Sequence, residues 1–184
     1  MNERIQMLFD RLNLLQVELT EKMTIQGKLN KEETEDSLLD LLIMAYVFGN
    51  TDANESLGTD ISVNIGKMED ALYRDFDGRN FAQRVADYIF TGSIPDIMRV
   101  AETEMHRDYS AGVYDTAKDS NKKVNKTWVT MQDDRVRETH FYLQGISVGI
   151  DERFYAIDGD SARYPGDFSK AENNVNCRCY LSVK

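Results

Sequence analysis

The stretch from Ser93 to Met131, SIPDIMRVAETEMHRDYSAGVYDTAKDSNKKVNKTWVTM, is where this chain changes character. Ser93 stands two places before Pro95, which suits a helix start. Ile97, Val100, Ala101, Met105, Tyr109 and Val113 then recur at helical spacing, predicting one long helix over 95–117 with that face turned inward. Asp119-Ser120-Asn121-Lys122-Lys123 reads as a linker or hairpin tip, and Val124 to Met131 read as a strand.

Downstream, further strands are expected at 146–150, 154–157 and 177–183, separated by Gly145, Gly149, Asp158-Gly159 and Tyr164-Pro165-Gly166-Asp167. A turn or two of helix is expected within 133–144. Upstream the pattern is helical. Ile5, Leu8, Leu12, Leu15 and Leu19, with Phe9 and Val17 alongside, mark a helix over 3–26. A second should span 31–48, with Glu32, Glu33, Glu35 and Asp36 in its first turns, where the helix dipole favours acids. Residues 49–60 are polar and turn-rich and read as an exposed loop. A third helix over 61–73 should turn Ile61, Ile65, Met68 and Leu72 inward. A turn at 75–78 and a fourth helix carrying Phe81, Val85, Tyr88 and Ile89 follow. The fold class is therefore α+β: an N-terminal helical region, then a small C-terminal mixed α/β unit with short strands. The division expected is an acidic helical region at 1–74, helices at 75–118, and a compact unit at 119–184.

The 184 residues carry a net charge of -10, which argues against a broad duplex binder, since such a protein needs many phosphate-neutralising Lys and Arg. The first 60 residues hold 12 acids against 5 bases, so most of the imbalance sits there. An acidic helical face is ordinarily a solvated surface, and a basic protein partner is the sharper reading. No apolar run spans a bilayer and no signal core follows Met1, so the protein is expected to stay in the cytosol or enter a particle assembled there. Cys177 and Cys179 are too close for an unstrained bridge, because successive strand side chains point to opposite faces; free thiols are expected.

The residues able to carry chemistry lie in the last third. His140, Cys177 and Cys179 supply three zinc-type ligands, with Asp133, Asp134 or water as a fourth. The usual paired spacing is absent, and the preferred reading makes His140 a hydrogen-bonded core residue and the thiols small apolar fillers. No cofactor is therefore expected. Asp133, Arg135, Arg137 and His140 suggest an acid–base or phosphate-handling cluster. Arg137 and His140 would share a face if the segment were helical. A salt-bridge network fixing the segment onto the strands is preferred. Glu102 and Glu104 diverge on the long helix and call for solvent or Arg partners. No phosphate loop, nucleophile elbow or His-Glu-x-x-His occurs.

Lys126-x-Trp128, then Asp133-x-Arg135-x-Arg137-x-x-His140, Phe154, Tyr164-Pro165-Gly166-Asp167 and Asn176-Cys177-Arg178-Cys179 follow in order. This series resembles the phage head-morphogenesis proteins typified by protein F of phage Mu, over about residues 75–184. Ala101-Glu102-Thr103-Glu104 is similar to that family's Arg-Thr-Glu helix, with Glu102 in place of Arg. The resemblance implies a minor capsid component incorporated with the portal, with portal protein, major capsid protein or another copy of the chain as partners. It implies residence in the phage head, assembled in the host cytoplasm, and a structural role in procapsid assembly, DNA packaging or ejection. Some relatives carry a toxin or ADP-ribosyltransferase domain after the shared one. Here the chain ends five residues beyond Cys179, so none is expected. The competing readings are a small effector enzyme or metal-binding protein using Asp133, Arg137, His140, Cys177 and Cys179, and a regulatory or immunity protein.

Overall fold

The computed structural model describes residues 2–76 and 78–184; Met1 and Asp77, the latter within the expected turn at 75–78, lie outside the described residues. Five helices come first: α1 (Glu3–Gln26), α2 (Lys31–Leu57), α3 (Ile65–Leu72), α4 (Phe81–Thr91) and α5 (Ile94–Asp119). Short strands follow: β1 (Asn125–Val129), β2 (Ser147–Gly149), β3 (Phe154–Tyr155), β4 (Ser161–Ala162) and β5 (Tyr180–Val183). The single-turn helices α6 (Glu138–Phe141) and α7 (Ala171–Asn174) lie between them. The fold is α+β. No described helix is long and apolar enough to cross a membrane.

In α1 the stripe Ile5, Leu8, Leu12, Leu15 and Leu19 is buried, as its spacing requires. Val17 is exposed: two residues from both Leu15 and Leu19, it points away from their side of the helix. Asn2 caps the start, its side-chain oxygen accepting from the Arg4 N–H at 2.8 Å.

The expected loop at 49–60 is instead mostly helix, because α2 continues to Leu57. The reason is α5. A Cβ on Gly49 would lie 2.1 Å from the Tyr109 carbonyl oxygen, and one on Gly112 would lie 2.1 Å from that of Tyr46. The two helices thus approach backbone to backbone, and residues that favour turns are held helical by packing. Their polar groups find partners in the protein. The Asn50 amide donates to Thr116 Oγ1 at 2.7 Å, and Asn54 both donates to the Ile61 carbonyl and accepts its N–H. This capture of Ile61 delays α3, which starts at Ile65 behind an Asn64 cap and leaves Ile65 exposed.

α5 packs on α1, α2, α3, α4 and β5, and its middle is buried continuously from Thr103 to Tyr114. That run includes charged side chains, which burial tolerates only when they are paired. Glu104 meets Arg107 and, at 2.7 Å, Arg84. Arg107 also reaches Asp108 at 3.1 Å and donates to the Ala71 carbonyl at 2.8 Å. Burial alone would raise the Glu104 carboxyl, but Arg107 and Arg84 outweigh it and hold it below its usual value. Burial pushes Asp108 up to about 7 against the pull of Arg107.

The C-terminal sheet has the order β2-β1-β5, antiparallel throughout, with Trp128 opposite Leu181 and Lys126 opposite both Val148 and Val183. β5 lies along α5, where the Leu181 N–H donates to Ser110 Oγ at 3.3 Å. The strands are shorter than the apolar runs suggest, and β3 pairs with β4, a strand the sequence reading did not expect. The helical turns expected over 133–144 contract to α6.

Glycine to alanine inside a helix ordinarily gains stability. Gly112→Ala should do the opposite, costing about 1–3 kcal/mol by overpacking against the Tyr46 carbonyl. Urea unfolding measures it, and a variant as stable as the parent would contradict the close approach.

Candidate functional site

Alternation along β1 places Lys126 and Trp128 on its inward face. Trp128 is fully buried, with ring-centre distances of 5.5 Å to His140, 5.3 Å to Phe154 and 5.5 Å to Phe168. His140 stacks on Phe168 at 5.4 Å. The indole is thus the centre of an aromatic cage built from β1, α6, β3 and the segment before α7.

His140 also faces the approach to β5. Its Nδ1 lies 3.5 Å from Cys177 Sγ and 3.7 Å from Cys179 Sγ, and all three residues are buried. The thiols are free. The expectation of opposite faces fails: residues two apart in extended chain share a face, and Arg178 between them takes the other. The Cys179 thiol, together with His140, holds Cys177 well below the usual thiol range, while Cys179 is itself pushed up by Cys177 and by burial. Asn176, at φ 60, turns the chain into this segment, and its N–H donates to Thr103 Oγ1 on α5 at 3.0 Å.

The charged motif residues surround the cage and face outward from it. Arg178 forks onto both oxygens of Asp133 at 2.6 and 2.7 Å. Glu102 lies 3.6 Å from Arg135 and 4.0 Å from Arg178, so this acid on α5 meets guanidinium groups from two later segments. Arg137 and His140 do not share a helix face. Arg137 is the extended residue preceding α6 and donates to the carbonyls of Glu172 and Val175, while His140 faces the thiols. Asp134 stays apart, an exposed residue of the loop before α6.

Tyr164-Pro165-Gly166-Asp167 forms a turn closed by the Asp167 N–H to the Tyr164 carbonyl at 3.1 Å. Gly166 sits against Arg107, where an added Cβ would lie 2.7 Å from that side chain. Asp167 accepts from Arg163 and from Arg74, each at 2.9 Å. Burial would raise this carboxyl, yet Arg163 and Arg74 keep it low.

The sequence reading overlooked Lys126 and Arg107 as buried charges. For Lys126 the signal was present, since it shares strand parity with Trp128. For Arg107 nothing in the helical pattern marked it. The Lys126 ammonium lies 4.9 Å from the Tyr114 ring centre and 5.4 Å from that of Phe154, with no hydrogen-bond partner among the described residues. His106, the other histidine, lies on α5 against Phe9 at 5.2 Å, and burial pushes it down to about 3.

The space beside His140 and the two cysteines, bounded also by Arg135, Arg137 and Asn176, has a volume of about 10 Å³. That is near the minimum for one water and far below what a substrate needs.

The family described as Phage Mu protein F like protein matches residues 66–182. An NAD(+)–arginine ADP-ribosyltransferase of Enterococcus faecalis is 36% identical over 110 residues, covering 56% of this chain and 22% of that relative. The minor head protein GP7 of Bacillus phage SPP1 is 40% identical over 83 residues, covering 44% of this chain and 27% of the relative. The chain thus corresponds to about a quarter of these curated relatives. No solved structure matches.

Burial pushes Lys126 down to about 8, with Asp167 opposing, against 10.5 for the free side chain. Between those values the unfolded chain binds more protons than the folded one, so this group makes stability rise with pH. Relative to Lys126→Met, the parent should gain stability from pH 8 to 10 in urea unfolding; parallel profiles would contradict the desolvated ammonium.

Proposed function

Because the chain belongs to the Phage Mu protein F like family, we propose that it is a minor head protein of a tailed bacteriophage or prophage, structural in role. The observation that carries this is where the motif residues are spent. Trp128, His140 and Phe154 form the cage, Asp133 and Arg178 pair, Arg137 holds two carbonyls, and Asp167 ties Arg163 to Arg74. Each maintains the fold, and the space beside His140, Cys177 and Cys179 is no larger than about one water. The relative named as an ADP-ribosyltransferase shares a segment of similar extent, and a common structural unit accounts for both likenesses.

In this reading the acidic helices α1 and α2 face outward for docking on portal or capsid protein during procapsid assembly in the host cytoplasm. Exposed Met7, Leu14 and Val17 on α1, among surface carboxylates, suit a partner with basic groups around an apolar centre. The overall charge disfavours coating duplex DNA, so any part in packaging or ejection runs through protein contacts.

Quantitative mass spectrometry on particles of the encoding phage tests the proposal. A few copies per particle, equal in empty procapsids and DNA-filled heads and tracking the portal protein, are expected. Absence from both, with the protein free in the lysate, would overturn it.

A further inference from the structure

We propose that His140, Cys177 and Cys179 bind one zinc ion, with a water as fourth ligand, and that this ion bolts α6 to the start of β5. Their ligand atoms all lie within 4.8 Å of one another on buried residues. A tetrahedral ion with Zn–S near 2.3 Å and Zn–N near 2.0 Å sets adjacent ligand atoms about 3.5–3.8 Å apart. The two sulfur-to-nitrogen distances, 3.5 and 3.7 Å, match that edge length.

Hydrogen bonding alone explains the cluster less well. A neutral imidazole offers at Nδ1 either one lone pair or one N–H, and so serves one thiol. Here two thiols converge on the same nitrogen, and a cation satisfies all three atoms together. Two thiolates and an imidazole form a borderline-soft set that suits Zn²⁺, and two thiolates neutralise its charge. Arg135, Arg137 and Arg178 border the same space.

The fourth position follows from what is already engaged. The Asp133 carboxylate is held at both oxygens by Arg178 and is not free to ligate. The adjoining space of about 10 Å³ is near the size that one water requires. A ligating imidazole usually donates from its other nitrogen. His140 Nε2 has no such partner among the described residues, and the ring is fixed instead between Trp128 and Phe168. The ion would join residues nearly 40 positions apart in a segment otherwise short of regular structure. This inference is independent of the head-protein reading.

The test uses the intact chain, purified under reducing conditions, stripped with chelator and titrated with Co²⁺. Sulfur-to-cobalt charge-transfer absorption should saturate at one equivalent and vanish on adding Zn²⁺. Cys177→Ser should lose most of that absorption, and zinc should slow alkylation of the parent thiols at least tenfold. A parent whose Co²⁺ spectrum stays that of the aqueous ion, with thiol alkylation unchanged by zinc, would overturn the proposal. So would a Cys177→Ser chain that keeps the full spectrum. Should that variant fail to fold, the parent titration and alkylation decide alone.

Discussion

The backbone contact between α2 and α5, made at Gly49 and Gly112, is the constraint on which the rest depends. With no side chain between them at either point, the helices lie too close to admit water, and α5 becomes buried on nearly every side. Its polar residues then require partners, and most have them, although His106 Nε2 and Asp108 Oδ2 find none among the described residues. Tyr46 donates to Asp115 at 2.8 Å, Asn50 to Thr116, and Tyr109 to Asp52; Glu104, Arg107 and Asp108 pair among themselves and with Arg84. Such pairs add little net stability over an apolar core, but breaking one partner out costs about 3–5 kcal/mol. They therefore select one arrangement of helices more than they deepen it.

The same helix organises the C-terminal strands. Thr103 accepts the Asn176 N–H, Ser110 accepts that of Leu181, Glu102 lies between Arg135 and Arg178, and Gly166 rests on Arg107. Motif pieces scattered over more than fifty residues converge because each is either referred to α5 or gathered about Trp128. The family match spans residues 66–182, which take in all of these pieces.

Much of this was legible in the sequence where one physical signal dominated. The leucine stripe of α1 and the alternation in β1 follow from burial of one face, and periodicity records that directly. The extension of α2 was not legible. Asn50 and Asn54 read as loop residues until Thr116 and Ile61 appear as their partners, and those contacts are long-range or cross a turn. Arg107 was hidden for the same reason, since a helix buried all round has no polar face to betray its ion pairs. In the site, convergence of His140 on the cysteines was open to suspicion from composition. That both thiols share its face was fixed by parity that the reading misapplied.

The motif cage and the helical bundle are one body built on α5. Trp128, the only tryptophan, reports on the cage by fluorescence, while far-ultraviolet circular dichroism reports mainly on α1, α2 and α5. The most direct measurement is equilibrium urea unfolding followed by both signals on one sample. Coincident transitions with the same midpoint and slope are the predicted result. A tryptophan transition completed while the helices remain folded would contradict it, because the cage would then stand without the helix said to hold it.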